Sequence, residues 1–238
     1  MQNRVSKIFL GYGETASYLK FKEKIAITGN PLRLKDTDKM EKKREILVLG
    51  GSLGARAISE KVVEAVEYIK KNNISFDYKF VLITGKQDYE IFSNYADKER
   101  LIVYPYVNNI EELYKRAVLV ISRAGALTIS EIAYFGLPAI LIPYPFSKRG
   151  HQYLNADLLV KNGNAVLIKN ESLTVDLLLK EVYNILKNKK KLKSYYFKSF
   201  KFLFKNSAEK IAKYMIEFNK KEEGNPINRK GKLNGNNK

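Results

Sequence analysis

At 238 residues the chain is long enough for one large domain or two small ones, and its 45% hydrophobic fraction supplies material for a sizeable core. The absence of cysteine excludes disulfides and thiolate metal sites and fits a reducing compartment. The formal net charge of +18, carried mostly by lysine among many Asn, Ile and Tyr residues, reflects compositional bias or a preference for phosphate-bearing or anionic partners.

In chain order, residues 7–11 and 25–28 read as short strands, followed by GNPLR (29–33) and a charged stretch, RLKDTDKMEKKRE, that reads as a solvated linker. From residue 45 apolar strands alternate with helical patterns. Strands are predicted at 45–50, 78–84, 100–104, 118–122, 139–143 and 164–168. Helices are predicted at 55–71, 88–95, 110–115, 128–135 and 152–162. Short apolar strands separated by helices predict a parallel sheet covered on both faces, a Rossmann-like, doubly wound α/β domain. After Leu173 only helices follow, at 175–188 and across 189–218, and the tail from residue 219 reads as disordered and basic. The longest apolar run, 129–146, is broken by Glu131, Gly136 and prolines, so no membrane span is expected. MQNRVSKIFL lacks the apolar core and cleavage site of a signal peptide.

Two strand-to-helix turns are candidates for chemistry, GGSLGAR (50–56) and SRAGALTISE (122–131). Glycine lets the backbone turn tightly beside a ligand, and the free N–H groups and dipole of a helix start favour an anion such as a diphosphate. Neither turn matches the dinucleotide or P-loop fingerprint, and each also reads as a well-capped turn. Thr128-x-x-Glu131 has the spacing of a capping box, while a carboxylate there also suits the two hydroxyls of a ribose. Local spacing favours the cap.

His151 is the lone histidine, and without an acidic neighbour in sequence it reads as a polar contact rather than a base. Asp36-Thr37-Asp38 matches a metal-holding DxD pattern but sits in the charged linker and reads as surface. The segment 187–205, KNKKKLKSYYFKSFKFLFK, interleaves lysine with aromatics. It suits a helix packed on the sheet, an anionic membrane surface, or stacking against single-stranded nucleic acid.

GNPLR, GGSLGAR, SRAGALTISEIAYFGLPAILIPYP and HQYLNA occur in the order and spacing of a peptidoglycan glycosyltransferase family. The chain resembles the UDP-N-acetylglucosamine–N-acetylmuramyl-(pentapeptide) pyrophosphoryl-undecaprenol N-acetylglucosaminyltransferases, the MurG family, over about residues 5–215. That resemblance implies the GT-B architecture, two Rossmann-like domains across a cleft, with the C-terminal one holding the UDP-sugar. It implies that residues 1–35 are the end of the N-terminal domain and its connection, and that 36–218 form the donor-binding domain with C-terminal helices. The basic tail then occupies 219–238.

By the same resemblance Arg33 and Ser52 contact the donor near its diphosphate, and Val107 meets the uracil through its backbone. Ala126, Leu127, Thr128, Ile129, Ser130 and Glu131 wrap the nucleotide with Glu131 on the ribose diol, and Gln152 holds the GlcNAc hydroxyls. The reaction implied is an inverting, metal- and cofactor-free transfer of GlcNAc from UDP-GlcNAc to the undecaprenyl-linked N-acetylmuramoyl-pentapeptide, lipid I to lipid II. It would proceed on the cytoplasmic face of the cell membrane, bound peripherally to its anionic surface, with no nucleic-acid partner.

Family members begin with a complete acceptor-binding domain that carries the candidate base, whereas this sequence starts near that domain's last strand. The expectation is therefore a donor-binding half with no catalytic residue of its own, inactive alone. Its acceptor half would come from a longer polypeptide or from a separate membrane subunit. Two other readings stay open: the donor half of another GT-B transferase using UDP-glucose or UDP-GlcNAc, and an inactive basic membrane- or nucleic-acid-binding module.

Overall fold

A computed structural model describes residues 4–33, 41–50, 55–187 and 206–223. The chain divides into two compact units, residues 33–201 and a smaller one built from 1–32 with 202–238.

The larger unit is a six-stranded sheet. Its strands are β3 (Glu45–Leu49), β4 (Lys79–Ile83), β5 (Leu101–Tyr104), β6 (Ala117–Ser122), β7 (Ala139–Leu141) and β8 (Ala165–Leu167). All pairs are parallel and the order is β5-β4-β3-β6-β7-β8. The chain thus enters at the centre, winds out to β5, returns beside β3 as β6, and winds out the other way to β8. That is the doubly wound α/β arrangement that the alternation of strands and helices predicts.

The strands are apolar almost throughout because helices cover both faces. Alternate residues Ile46 and Val48, Phe80 and Leu82, and Leu119 and Ile121 point into one core. Helix α1 (Arg56–Lys71) closes that core with Ile58, Val62, Val66 and Ile69, a stripe at helical spacing, and is charged on its outer side. Helix α6 (Val175–Lys187) lies beside α1 and adds Leu178, Leu179, Val182, Ile185 and Leu186. Each fully buried aliphatic side chain of this kind contributes about 1.5–3 kcal/mol relative to exposure.

Helix α4 (Ala126–Phe135) packs against both α3 (Ile110–Arg116) and α5 (His151–Lys161), and the short α2 (Tyr89–Ser93) packs on β5. Helix α4 ends in a Schellman motif. Gly136 takes the left-handed conformation (φ 59°), its N–H reaches Ala133 O, and Leu137 N–H reaches Ile132 O. Pro138 follows and cannot continue the helix, so the chain turns directly into β7.

In the smaller unit β1 (Ile8–Leu10) pairs in parallel with β2 (Ile25–Ile27). Helix α7 (Ser207–Glu223) belongs to this unit, with the Tyr214 ring 5.7 Å from that of Phe9 and the Lys7 ammonium 5.5 Å from it. The sequence reading instead groups 36–218 with the sheet and keeps 1–35 apart. The helix also runs to Glu223, so the tail expected from 219 is helical at its start. The interleaved segment 188–205 lies outside the described residues, as do Asp36, Thr37 and Asp38. Among the described residues no helix is long and apolar enough to cross a membrane.

Candidate functional site

The sheet reverses its winding direction between β3 and β6, and each of these strands is followed at its carboxyl end by a helix, α1 and α4. In an open parallel sheet this crevice is the place where ligands bind.

At the end of β3, Gly50 lies hard against β4. Its N–H bonds Ile83 O at 2.7 Å, and a Cβ placed on it would sit 2.5 Å from that same oxygen. Only glycine fits there. Ser52 lies outside the described residues.

At the end of β6 the chain passes through Arg123 and Ala124 to Gly125, which is extended (ψ 146°) and starts α4. The first intrahelical bond runs from Ile129 N to Gly125 O at 2.9 Å. The N–H groups of Ala126, Leu127 and Thr128 precede it and face the crevice end of the helix, where its dipole is positive.

This start overturns the capping-box reading of Thr128 and Glu131. The helix begins two residues earlier than Thr128, its N-cap is Gly125, and no side chain caps it. Glu131 is therefore in the second turn, beyond reach of the free N–H groups. Its Oε2 instead accepts a 2.8 Å hydrogen bond from the Tyr114 hydroxyl of α3. Burial pushes the Glu131 carboxyl above the usual carboxylate range, and the Tyr114 hydrogen bond works against that.

The other expected residues of α4 divide by direction. Ala126 and Leu127 are exposed, Leu127 at 58%, and Thr128 is half-buried. Ile129 and Ser130 are fully buried, and Ser130 Oγ donates back to Ala126 O at 2.7 Å. These last two residues belong to the core, with Ile129 N–H spent on Gly125 O, so neither is open to a ligand, contrary to the expectation that they wrap the nucleotide.

Gln152, at the second position of α5, ties three segments together. Its Oε1 accepts from Tyr144 N at 2.9 Å and from Ala124 N at 3.3 Å. Its own N–H faces Ser147 Oγ at 3.4 Å. Both partners of the side-chain oxygen are N–H donors, so the amide orientation is determined, and the NH₂ group is what Gln152 presents outward. Asn155, one turn on, donates to Ala124 O at 3.0 Å. The residue that precedes α4 by two positions is thus clamped on both sides by α5.

Arg123 holds the loop after β7. Its guanidinium donates to Ile142 O (3.1 Å), Pro143 O (3.3 Å) and Asn170 Oδ1 (2.8 Å), and lies 5.6 Å from the centre of the Tyr144 ring. Sequence reasoning missed Tyr114, Asn155, Arg123 and Asn170. Asn155 was within reach, three residues from Gln152 on the same helix face, whereas nothing local links Tyr114 to Glu131.

Val107 is half-buried in the loop after β5, on the same carboxyl edge of the sheet. Arg33 is exposed where the larger unit begins. His151 is exposed too, and its Nδ1–H donates to Lys148 O at 2.7 Å, closing the turn before α5. The structure therefore brings the start of α4, from Ala126 to Thr128, and Gln152 together at the switch point, while Ile129 and Ser130 are buried and Glu131 meets Tyr114 of α3.

Known proteins resemble the chain in sequence and in fold. The chain is 37% identical over 206 residues to the UDP-N-acetylglucosamine--N-acetylmuramyl-(pentapeptide) pyrophosphoryl-undecaprenol N-acetylglucosamine transferase of Alkaliphilus metalliredigens, covering 80% of this chain and 55% of that protein. It is 33% identical over 227 residues to the protein of the same name from Ruminiclostridium cellulolyticum, covering 89% and 61%. The chain thus spans little more than half the length of these curated relatives.

Among solved structures, Acinetobacter baumannii MurG superposes with a TM-score of 0.61 at 27% identity, over 76% of this chain and 51% of that one. The calicheamicin glycosyltransferase CalG4 shares the fold, with a TM-score of 0.62 at 12% identity over 90% of this chain and 54% of that one. The glycosyltransferase family 28 C-terminal domain matches residues 45–214, which takes in the whole six-stranded sheet and both turns at its switch point. By that match the chain belongs to glycosyltransferase family 28.

Proposed function

We propose that the chain is the donor-binding half of a transferase that moves GlcNAc from UDP-GlcNAc to an undecaprenyl-linked N-acetylmuramoyl-pentapeptide, lipid I to lipid II in peptidoglycan synthesis. One observation carries the reading. The free N–H groups at the start of α4 stand at the switch point, the Gln152 amide is bonded to Ala124 just before them, and the Glu131 carboxylate lies in the second turn of the same helix. They match in chemistry a diphosphate, a sugar hydroxyl and a ribose diol. The names of the curated relatives agree with this assignment.

In this reading the nucleotide diphosphate meets the N–H groups of Ala126, Leu127 and Thr128, with Ser52 and Arg33 contributing further donors. Glu131 accepts from the ribose hydroxyls, the Val107 backbone meets the uracil, and Gln152 donates to the sugar. The 4-hydroxyl of the acceptor attacks the anomeric carbon from the face opposite UDP. The bond to the UDP oxygen breaks, and the charge that develops on it is stabilised by N–H dipoles already aimed at it. The hydroxyl proton passes to a base on the acceptor side of the reacting carbon.

The acceptor is a lipid, so we place the protein peripherally on the cytoplasmic face of the membrane. The net charge of +18 supports that, as do exposed Tyr214, Met215, Ile216 and Phe218 beside Lys213 and Lys220 on α7.

The test is calorimetric titration of the chain with UDP-GlcNAc, UDP-glucose and UDP, beside Glu131→Ala. The expected result is a preference for UDP-GlcNAc and a loss of roughly tenfold or more in the variant, the scale of charge-assisted hydrogen bonds. Equal affinity for UDP-glucose would move the assignment to another GT-B donor. No dependence on Glu131 would remove the nucleotide site from this crevice.

A further inference from the structure

Tyr114 is fully buried, yet it carries a hydroxyl where a phenylalanine would fill the same space. Its ring stacks on Phe135 of α4, with centroids 5.2 Å apart and planes at 13°. Its carbonyl accepts from Lys42 Nζ at 3.3 Å. Ring and backbone are therefore held independently of the hydroxyl, which donates to Glu131 Oε2 at 2.8 Å. A buried hydroxyl costs free energy unless it is bonded, so the contact satisfies Tyr114; it also fixes Glu131.

We infer that Tyr114 is a positioning residue for ribose recognition, locking the Glu131 carboxylate in the orientation that accepts the two sugar hydroxyls; the inference rests on the nucleotide reading of the crevice given above. A free glutamate side chain loses rotamer freedom when it engages a ligand, a cost of up to roughly 1.5–2 kcal/mol. With Oε2 tied to a buried phenol, that freedom is lost on folding instead, and ligand binding no longer bears it. Oε1 has no protein partner among the described residues and stays available, as does the second lone pair of Oε2. Burial and the adjacent carboxylate raise the Tyr114 hydroxyl well above the usual phenol range, so it keeps the proton that it donates to the Glu131 carboxylate.

The test titrates UDP and 2′,3′-dideoxy-UDP into the 238-residue chain, its Tyr114→Phe and Glu131→Gln variants, and the double variant. Phenylalanine keeps the ring stacked on Phe135, and thermal melting is followed beside each titration. The expected result is roughly three- to tenfold weaker UDP binding in Tyr114→Phe, no change for the dideoxy nucleotide, and no further loss when Tyr114→Phe is added to Glu131→Gln. An equal loss on both nucleotides would reduce Tyr114 to core packing, and unchanged UDP affinity would overturn its role outright. If Glu131→Gln itself leaves UDP affinity intact, the ribose reading of the crevice fails first. If Glu131→Gln weakens UDP while Tyr114→Phe does not, only the positioning role falls.

Discussion

Replacing Gln152 by glutamate separates two jobs that one side chain performs. The oxygen of Gln152 accepts from Ala124 N and Tyr144 N, and a carboxylate oxygen accepts from the same two donors. The loop clamp should survive. The NH₂ group, however, is gone, and with it the donor that Gln152 presents toward the sugar. Truncation to alanine removes both functions. It leaves two N–H groups without their acceptor, one on the fully buried Ala124, at about 1–3 kcal/mol each.

The expected outcome for Gln152→Glu is a chain that melts within a few degrees of the parent and binds UDP unchanged. Its affinity for UDP-GlcNAc drops toward that of UDP, a loss of about 1–2 kcal/mol or roughly 5- to 30-fold. Gln152→Ala should lose the same discrimination and also about 2–6 kcal/mol of stability. The assay is calorimetry with both nucleotides together with denaturant unfolding. A Gln152→Glu chain that keeps the full preference for UDP-GlcNAc would refute the argument that the outward amide reads the sugar.

Two further outcomes follow from the packing. Gly50→Ala places a methyl group 2.5 Å from the Ile83 carbonyl oxygen, a backbone atom that moves only with β4, and should cost about 1–3 kcal/mol. A melting temperature lowered by about 2–10 °C measures it, and an unchanged melt would mean that β3 and β4 part without penalty. Lys42 is held by burial at about 7 against an ordinary 10.5. Between those values the unfolded chain binds a proton that the folded chain has lost, so stability should rise with pH by up to about 1.4 kcal/mol per unit from pH 7 toward 10.5. Urea unfolding of the parent and Lys42→Met from pH 6.5 to 9.5 tests this, and equal slopes would show that Lys42 keeps its proton in the folded state.

The alternation of apolar strands with amphipathic helices determined the parallel sheet before any coordinates, because a strand buried on both faces has to be apolar throughout. Gly136-Leu137-Pro138 likewise determined where α4 ends, since left-handed backbone favours glycine and proline cannot continue a helix. The start of the same helix was not local in origin. The spacing of Thr128 and Glu131 suits a cap, but the helix begins at Ala126 once Ala124 is clamped by Gln152 and Asn155, 28 and 31 residues away. Only the fold brings Tyr114 within 2.8 Å of Glu131 across 17 residues, and only the fold turns Ile129 and Ser130 inward while leaving Ala126 and Leu127 exposed. Local preferences act over a few residues along the chain, whereas the direction of a carboxylate or an amide is decided by partners that the packing of α3, α4 and α5 brings together.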